Sequence, residues 1–197
     1  MSSAREQAYA HLAAQRPRPA PAGEPLPAFI SCFTRQGGIC AKLKSIDALP
    51  RYITEHFAGA QNTALDVILA GDPLLAEANW SAQPGLQLCP AGARPSGTIA
   101  VTTAFCAVAE TGSLAVYPRA GAPMALNFLP DRLLIVLRTE DVVANLEDFW
   151  RLARARFATG LPRGLCLVSG PSSTGDIAMS FTTGVHGPIE VHALVLG

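Results

Sequence analysis

The chain has 197 residues and a mass of 20.6 kDa, the length of a single domain. Hydrophobic residues make up 49% and charged residues 15%, with a mean hydropathy of +0.26, which excludes a disordered chain. Its 15 basic and 15 acidic residues cancel, so there is no basic footprint for nucleic acid, and no run approaches the ~20 apolar residues of a membrane-spanning helix.

Residues Met1 to Gln15 contain no apolar core of a secretory signal, so a cytoplasmic protein is expected. The five cysteines (Cys32, Cys40, Cys89, Cys106, Cys166) form no CxxC pair. They are expected as buried reduced thiols, with no metal site in this chain.

In chain order, Ser2 to Gln15 predicts a short helix, with Ala8, Tyr9 and Leu12 as its apolar stripe. Arg16 to Ala28 holds five prolines and predicts an extended arm, because proline lacks a donor and favours polyproline conformations. The expected division is therefore an N-terminal helix and proline-rich arm over residues 1–28 and a body over 29–197. Ser45 to Phe57 predicts a helix and Leu65 to Ala70 a strand. Asp72-Pro73 predicts a capped short helix. Two strands are expected from Thr98 to Tyr117, split at Glu110-Thr111-Gly112. After a link over Asn127 to Asp131, Leu133 to Leu137 predicts a buried strand. Glu140 to Ala158 predicts a helix, acids first and arginines last, matching the helix dipole. Leu165 to Val168 predicts a strand, Gly170 to Phe181 a loop and short helix, and Glu190 to Leu196 the closing strand. Apolar strands alternating with helices imply a three-layer α/β/α sandwich around a mainly parallel sheet.

Where charge is scarce, its position is informative. Glu110 is the only charged residue from Pro95 to Val116, and Asp176 and Glu190 are the only ones from Gly164 to Gly197. A carboxylate between Ala107-Val108-Ala109 and a Thr-Gly turn is expected to be partly desolvated, as functional acids and bases often are. The competing expectation is a carboxylate satisfied by backbone amides. Residues 169–176 (SGPSSTGD) are predicted to leave a strand and open a helix. Backbone amides and the hydroxyls of Ser172, Ser173 and Thr174 could then hold an anion, while Ser173 and Asp176 could equally form a capping pair. His186 sits in the Gly184-Val185-His186-Gly187-Pro188 turn, where Asp176 could fix its tautomer. His192 reads as a core residue within an apolar strand.

The ordered segments AETGSL (109–114), LPDR (129–132), GPSSTGDI (170–177) and GVHGP (184–188) resemble the LUD domain family typified by lactate utilisation protein C. The resemblance runs over roughly residues 29–197. It implies a fold similar to the ribose-phosphate isomerase, glucosamine-phosphate deaminase and CoA-transferase group. It also implies a non-redox subunit supporting oxidation of L-lactate to pyruvate, beside iron–sulfur partner proteins that carry the clusters. Two positions depart from the family pattern: Ser173 stands where a basic residue is common, and Gly175 where alanine is common. Anion binding would then rest on backbone donors, unless an arginine such as Arg35 or Arg132 reaches in. The expected ligand pocket comprises Glu110, Thr111, Gly112, Gly170, Pro171, Ser172, Ser173, Thr174, Asp176, His186 and Gly187. Alternatives are a stand-alone CoA-transferase-like or sugar-phosphate-isomerase-like enzyme with Glu110 as catalytic nucleophile or base, or a small-molecule-sensing module using the same pocket.

Overall fold

The computed structural model describes residues 23–58, 64–90, 98–175, 181–183 and 187–197. The expected helix at 2–15 and the arm up to residue 22 lie outside these. The strands are β1 (Ile39–Leu43), β2 (Leu65–Leu69), β3 (Leu86–Cys89), β4 (Ile99–Thr103), β5 (Cys106–Val108), β6 (Ser113–Val116), β7 (Arg132–Arg138), β8 (Val142–Val143), β9 (Cys166–Val168), β10 (Ser173–Gly175), β11 (Phe181–Thr183) and β12 (Glu190–Leu196). The helices are α1 (Pro25–Arg35), α2 (Ala48–Phe57), α3 (Pro73–Ala76) and α4 (Leu146–Arg156).

A mixed α/β fold results. Its centre is a six-stranded parallel sheet in the order β1-β12-β7-β4-β2-β3. The apolar interiors of β7 and β12, Leu133 to Leu137 and Val191 to Val195, are buried along their whole length. Both faces of these strands are covered, as the continuous apolar run of β7 and the largely apolar run of β12, broken only by the buried His192, require. One face packs on Leu49, Tyr52 and Ile53 of α2 and Leu75 of α3. The other packs on Phe29 and Phe33 of α1 and on a smaller sheet in the order β8-β5-β6-β9. Phe149 of α4 closes the outer side of that smaller sheet against Cys106, Val108 and Ala115. The face expected to carry only helices thus carries α1 and a second sheet, with α4 one layer further out.

Four local expectations change. The stretch from Thr98 to Tyr117, expected as two strands, forms three, because the chain leaves the central sheet after β4 and enters the smaller sheet as β5 and β6. Pro25 and Pro27, expected in an extended arm, belong to the first turn of α1, where proline's missing donor has no partner to lose. The predicted helix at 140–158 begins only at Leu146. Val142 and Val143 pair instead with Ala107 and Val108, and Asn145 accepts from the Asp148 amide at 2.9 Å as the cap. The segment expected to open a helix after Gly170 instead enters β10, which pairs antiparallel with β11. Residues 176–180 between these strands lie outside the described part. The short helix at Asp72-Pro73 is present, and the Asp72 carboxylate accepts from the Leu74 amide at 3.0 Å.

All five cysteines are free. Only Cys106 is fully buried, and loss of solvation pushes its thiol up to about 12.

Candidate functional site

The turn between β5 and β6 is built by three neighbours. The amides of Ala109 and Glu110 donate to the carbonyls of Val143 and Ala144, at 2.9 and 3.0 Å. Gly112 has φ +59°, and a Cβ placed there would lie 2.6 Å from the backbone nitrogen of Phe33. Only glycine lets α1 approach this closely. Gln36, just past the end of α1, donates from Nε2 to the Thr111 carbonyl at 2.9 Å and to the Cys32 carbonyl at 3.1 Å.

The half-buried Glu110 carboxylate accepts from the Leu146 amide at 3.3 Å, at the N-terminus of α4. Exposed amides and the helix dipole favour a negative charge there. Loss of the charge in Glu110→Gln should weaken this helix end by about 0.5–1 kcal/mol, read from urea denaturation midpoints. A much larger loss would show that the carboxylate does more than support this helix end.

The loop after β9 closes on the same turn. Ser113 Oγ donates to Thr111 Oγ1 at 2.8 Å and lies 2.8 Å from Ser169 Oγ, so Ser169 is the donor of that second bond. Gly170, with φ +149°, leaves no room for a Cβ, which would fall 2.7 Å from the Gln36 carbonyl oxygen. The Ser172 amide donates to the Pro188 carbonyl at 3.0 Å, and Gly187 packs on the Ser172 side chain. Thr111, Gly112, Gly170, Pro171, Ser172 and Gly187 are thus brought together. Ser173 and Thr174 continue into β10, while Asp176 and His186, including their expected pairing, lie outside the described residues.

This cluster adjoins the amino ends of the central strands. Gln36 and Gly37 lead into β1, Pro188 leads into β12, and Phe128 precedes β7. A cavity of about 450 Å³ is lined by Gln36, Leu167, Ser169, Gly170 and Pro171. A second, of about 210 Å³, shares Leu167, Ser169 and Gly170 and extends to Asn127, Phe128, Ser172 and Pro188. No lysine or arginine lines either among the described residues. Arg35 donates to Cys32 Sγ at 3.3 Å; Arg132 lies 3.8 Å from Glu190 and 5.2 Å over the Phe57 ring. Gln36, Ser113, Ser169 and Asn127 were absent from the expected pocket. They are uncharged, so scarcity of charge could not reveal them.

At the opposite edge lies a further cluster. Asp72 Oδ2, just beyond β2, accepts from Thr103 Oγ1 of β4 at 2.6 Å and from Arg119 Nη2 at 2.7 Å; Arg119 also contacts the Thr103 hydroxyl. The chain leaves β2 toward β3 on one side and β4 toward β7 on the other, so this is a point where strand order reverses. Open α/β sheets commonly bind ligands at such points. A cavity of about 370 Å³ is lined there by Asp72, Thr103, Arg138 and Asp141. Burial, and then the neighbouring Glu140, raise the Asp141 carboxyl above its usual range, against the opposing effect of Arg138.

His192 is 2% exposed, with Nδ1 2.7 Å from the Tyr52 hydroxyl and Nε2 3.5 Å from Glu190 Oε2 without a hydrogen bond. Burial lowers its pKa below the ordinary 6.5, opposed by Glu190. The unfolded chain then binds the extra proton first, so this contribution is complete above pH 6.5 and falls as pH drops toward the folded value. Urea midpoints between pH 7.5 and 5 should decline in the wild type, and His192→Gln should remove part of that slope. An unchanged slope would exclude His192 as its source.

The described residues contain no group of His, Cys, Asp or Glu arranged to hold a metal ion, and no helix long and apolar enough to cross a membrane. Residues 97–196 match the LUD domain. The chain is similar to the lactate utilization protein C of Shouchella clausii, 28% identical over 50% of this chain and 43% of that protein. It is also similar to lactate utilization protein C of an Exiguobacterium species, 33% identical over 47% of this chain and 41% of that one. The matched segments thus span less than half the length of these relatives. A crystal structure of a DUF162 family protein from Deinococcus radiodurans shares the fold, with a TM-score of 0.61 at 21% identity, over 88% of this chain and 97% of the other.

Proposed function

The chain belongs to the LUD domain family, and from that premise we propose that it serves lactate utilisation as a non-redox subunit. In this reading it supports oxidation of L-lactate to pyruvate, and iron–sulfur partner proteins accept the electrons. The carrying observation is convergence. Segments distant in sequence, 109–113, 169–172 and 187–188, meet through the Ser113–Ser169 and Ser172–Pro188 hydrogen bonds beside two cavities that share lining residues. All three segments lie within the residues that match the family. Oxidising lactate releases two electrons and two protons. The five cysteines include no CxxC pair, so the reading assigns the electron carriers to the partners. Glu110 supports the turn and the start of α4 in this reading and is not used as a nucleophile.

Deleting the gene in its host tests the proposal. Growth on L-lactate should fail while growth on glucose continues, and a tagged chain should co-purify with iron–sulfur proteins encoded nearby. Unaffected lactate growth together with no co-purification would overturn it.

A further inference from the structure

We propose that the cavity at the carboxyl ends of β2, β4 and β7 binds a zwitterionic α-amino acid, with Asp141 taking its ammonium group and Arg138 its carboxylate. The inference does not rest on the lactate reading. Three neighbouring strand ends supply the walls: Asp72 follows β2, Thr103 ends β4, and Arg138 ends β7 with Asp141 just beyond. Strand order reverses at this point, the usual place for a ligand in an open α/β sheet.

Part of the wall is settled within the protein. The Thr103 hydroxyl donates to Asp72, and Arg119 pairs with the same carboxylate at 2.7 Å, so the Asp72 charge is already compensated. The charges left to the cavity are Glu77, Asp141 and Arg138. Arg138 precedes and Asp141 ends a single 3₁₀ turn, and both reach solvent, so a ligand can touch them. They do not form an ion pair with each other; the nearest carboxylate to the Arg138 guanidinium is that of the exposed Glu140, at 4.0 Å. Burial and Glu140 raise the Asp141 carboxyl, a strain that a cation beside it would relieve.

This mixture selects the ligand. A phosphate would face Glu77 and Asp141, and a simple amine would face Arg138, each a juxtaposition of like charges. The described residues hold no group arranged for a metal ion. A molecule with one positive and one negative charge satisfies both Asp141 and Arg138. Pro73, Leu74 and Ala104 add apolar wall for a side chain, and about 370 Å³ accommodates an amino acid of leucine's size.

The full chain is titrated calorimetrically with L-leucine, 4-methylpentanoate and 3-methylbutylamine. The second lacks leucine's ammonium group and the third its carboxylate. L-Leucine should bind at least about tenfold more tightly than either, the usual worth of one charge-assisted hydrogen bond. Asp141→Asn should abolish the preference over 4-methylpentanoate, and Arg138→Gln the preference over 3-methylbutylamine. Neither should move the thermal midpoint by more than a degree or so, since exposed charges contribute little to stability. Equal wild-type affinities for leucine and either fragment would overturn the zwitterion site without recourse to a variant. So would preferences unchanged in both variants, or no binding of any of the three. The role in lactate use stands or falls separately, by growth and co-purification.

Discussion

Gly112→Ala destabilises the protein by about 3 kcal/mol or more, in an urea titration against wild type. Two costs combine. The backbone there has φ +59°, a conformation that L side chains rarely adopt. The added methyl also meets backbone: Phe33 N at 2.6 Å, the Cys32 carbonyl carbon at 2.7 Å and the Gln36 side chain at 2.8 Å. A side chain could rotate away, but two of these three contacts belong to α1 itself, so α1 must move off the turn. The Gln36–Thr111 hydrogen bond would be strained with it. Gly85→Ala supplies the control, since a Cβ there meets nothing within 4 Å. If both substitutions cost the same small amount, α1 does not hold the turn in the way described.

Phe33→Ala tests the same junction from the other side and should cost about 3–5 kcal/mol. Phe33 is fully buried, stacks on Phe29 with ring centroids 5.5 Å apart, and belongs to the core between α1 and the central sheet. Gly38 packs directly on its ring, which leaves no room for a Cβ beside Cε1. Removing the ring leaves a cavity under the last turn of α1, three residues before Gln36. A loss below about 1 kcal/mol would mean that α1 is a dispensable cover, since truncating a fully buried ring normally costs several times that.

These two residues also show what was legible beforehand. The apolar runs of β7 and β12 identified a buried parallel sheet, because strands covered on both faces need no polar alternation. Asp72-Pro73 likewise announced a capped helix. Two failures were decided by partners distant in sequence, and the third by an ambiguity local to the prolines. Val142 fits a helical stripe, yet pairing with Ala107 claims it for β8 and moves the helix start to Leu146. Ser173 fits a helix cap, yet pairing with Thr183 places it in a hairpin. Pro25 and Pro27 fit an arm, yet α1 accommodates them in its first turn.

The site divides in the same way. Thr111, Gly112, Gly170, Pro171, Ser172 and Gly187 were marked by motifs and do converge. Scarcity of charge picked out Glu110, but the groups that knit the turn to its surroundings are neutral: Gln36, Ser113 and Ser169. The cluster of Asp72, Thr103 and Arg119 depends on β2 and β4 being neighbours, which no local pattern announces. Open α/β sheets commonly bind ligands beyond the carboxyl ends of their strands, whereas the converged motifs lie beside the amino ends of the central strands.

The proposed role makes this chain necessary for lactate oxidation, with the electron carriers assigned to its partners. It is tested most directly by L-lactate-dependent reduction of an artificial electron acceptor in extracts of a strain lacking the gene. The activity should be lost in that extract and should return when the purified wild-type chain is added back. Full activity in the deletion extract, with no response to the added chain, would contradict it.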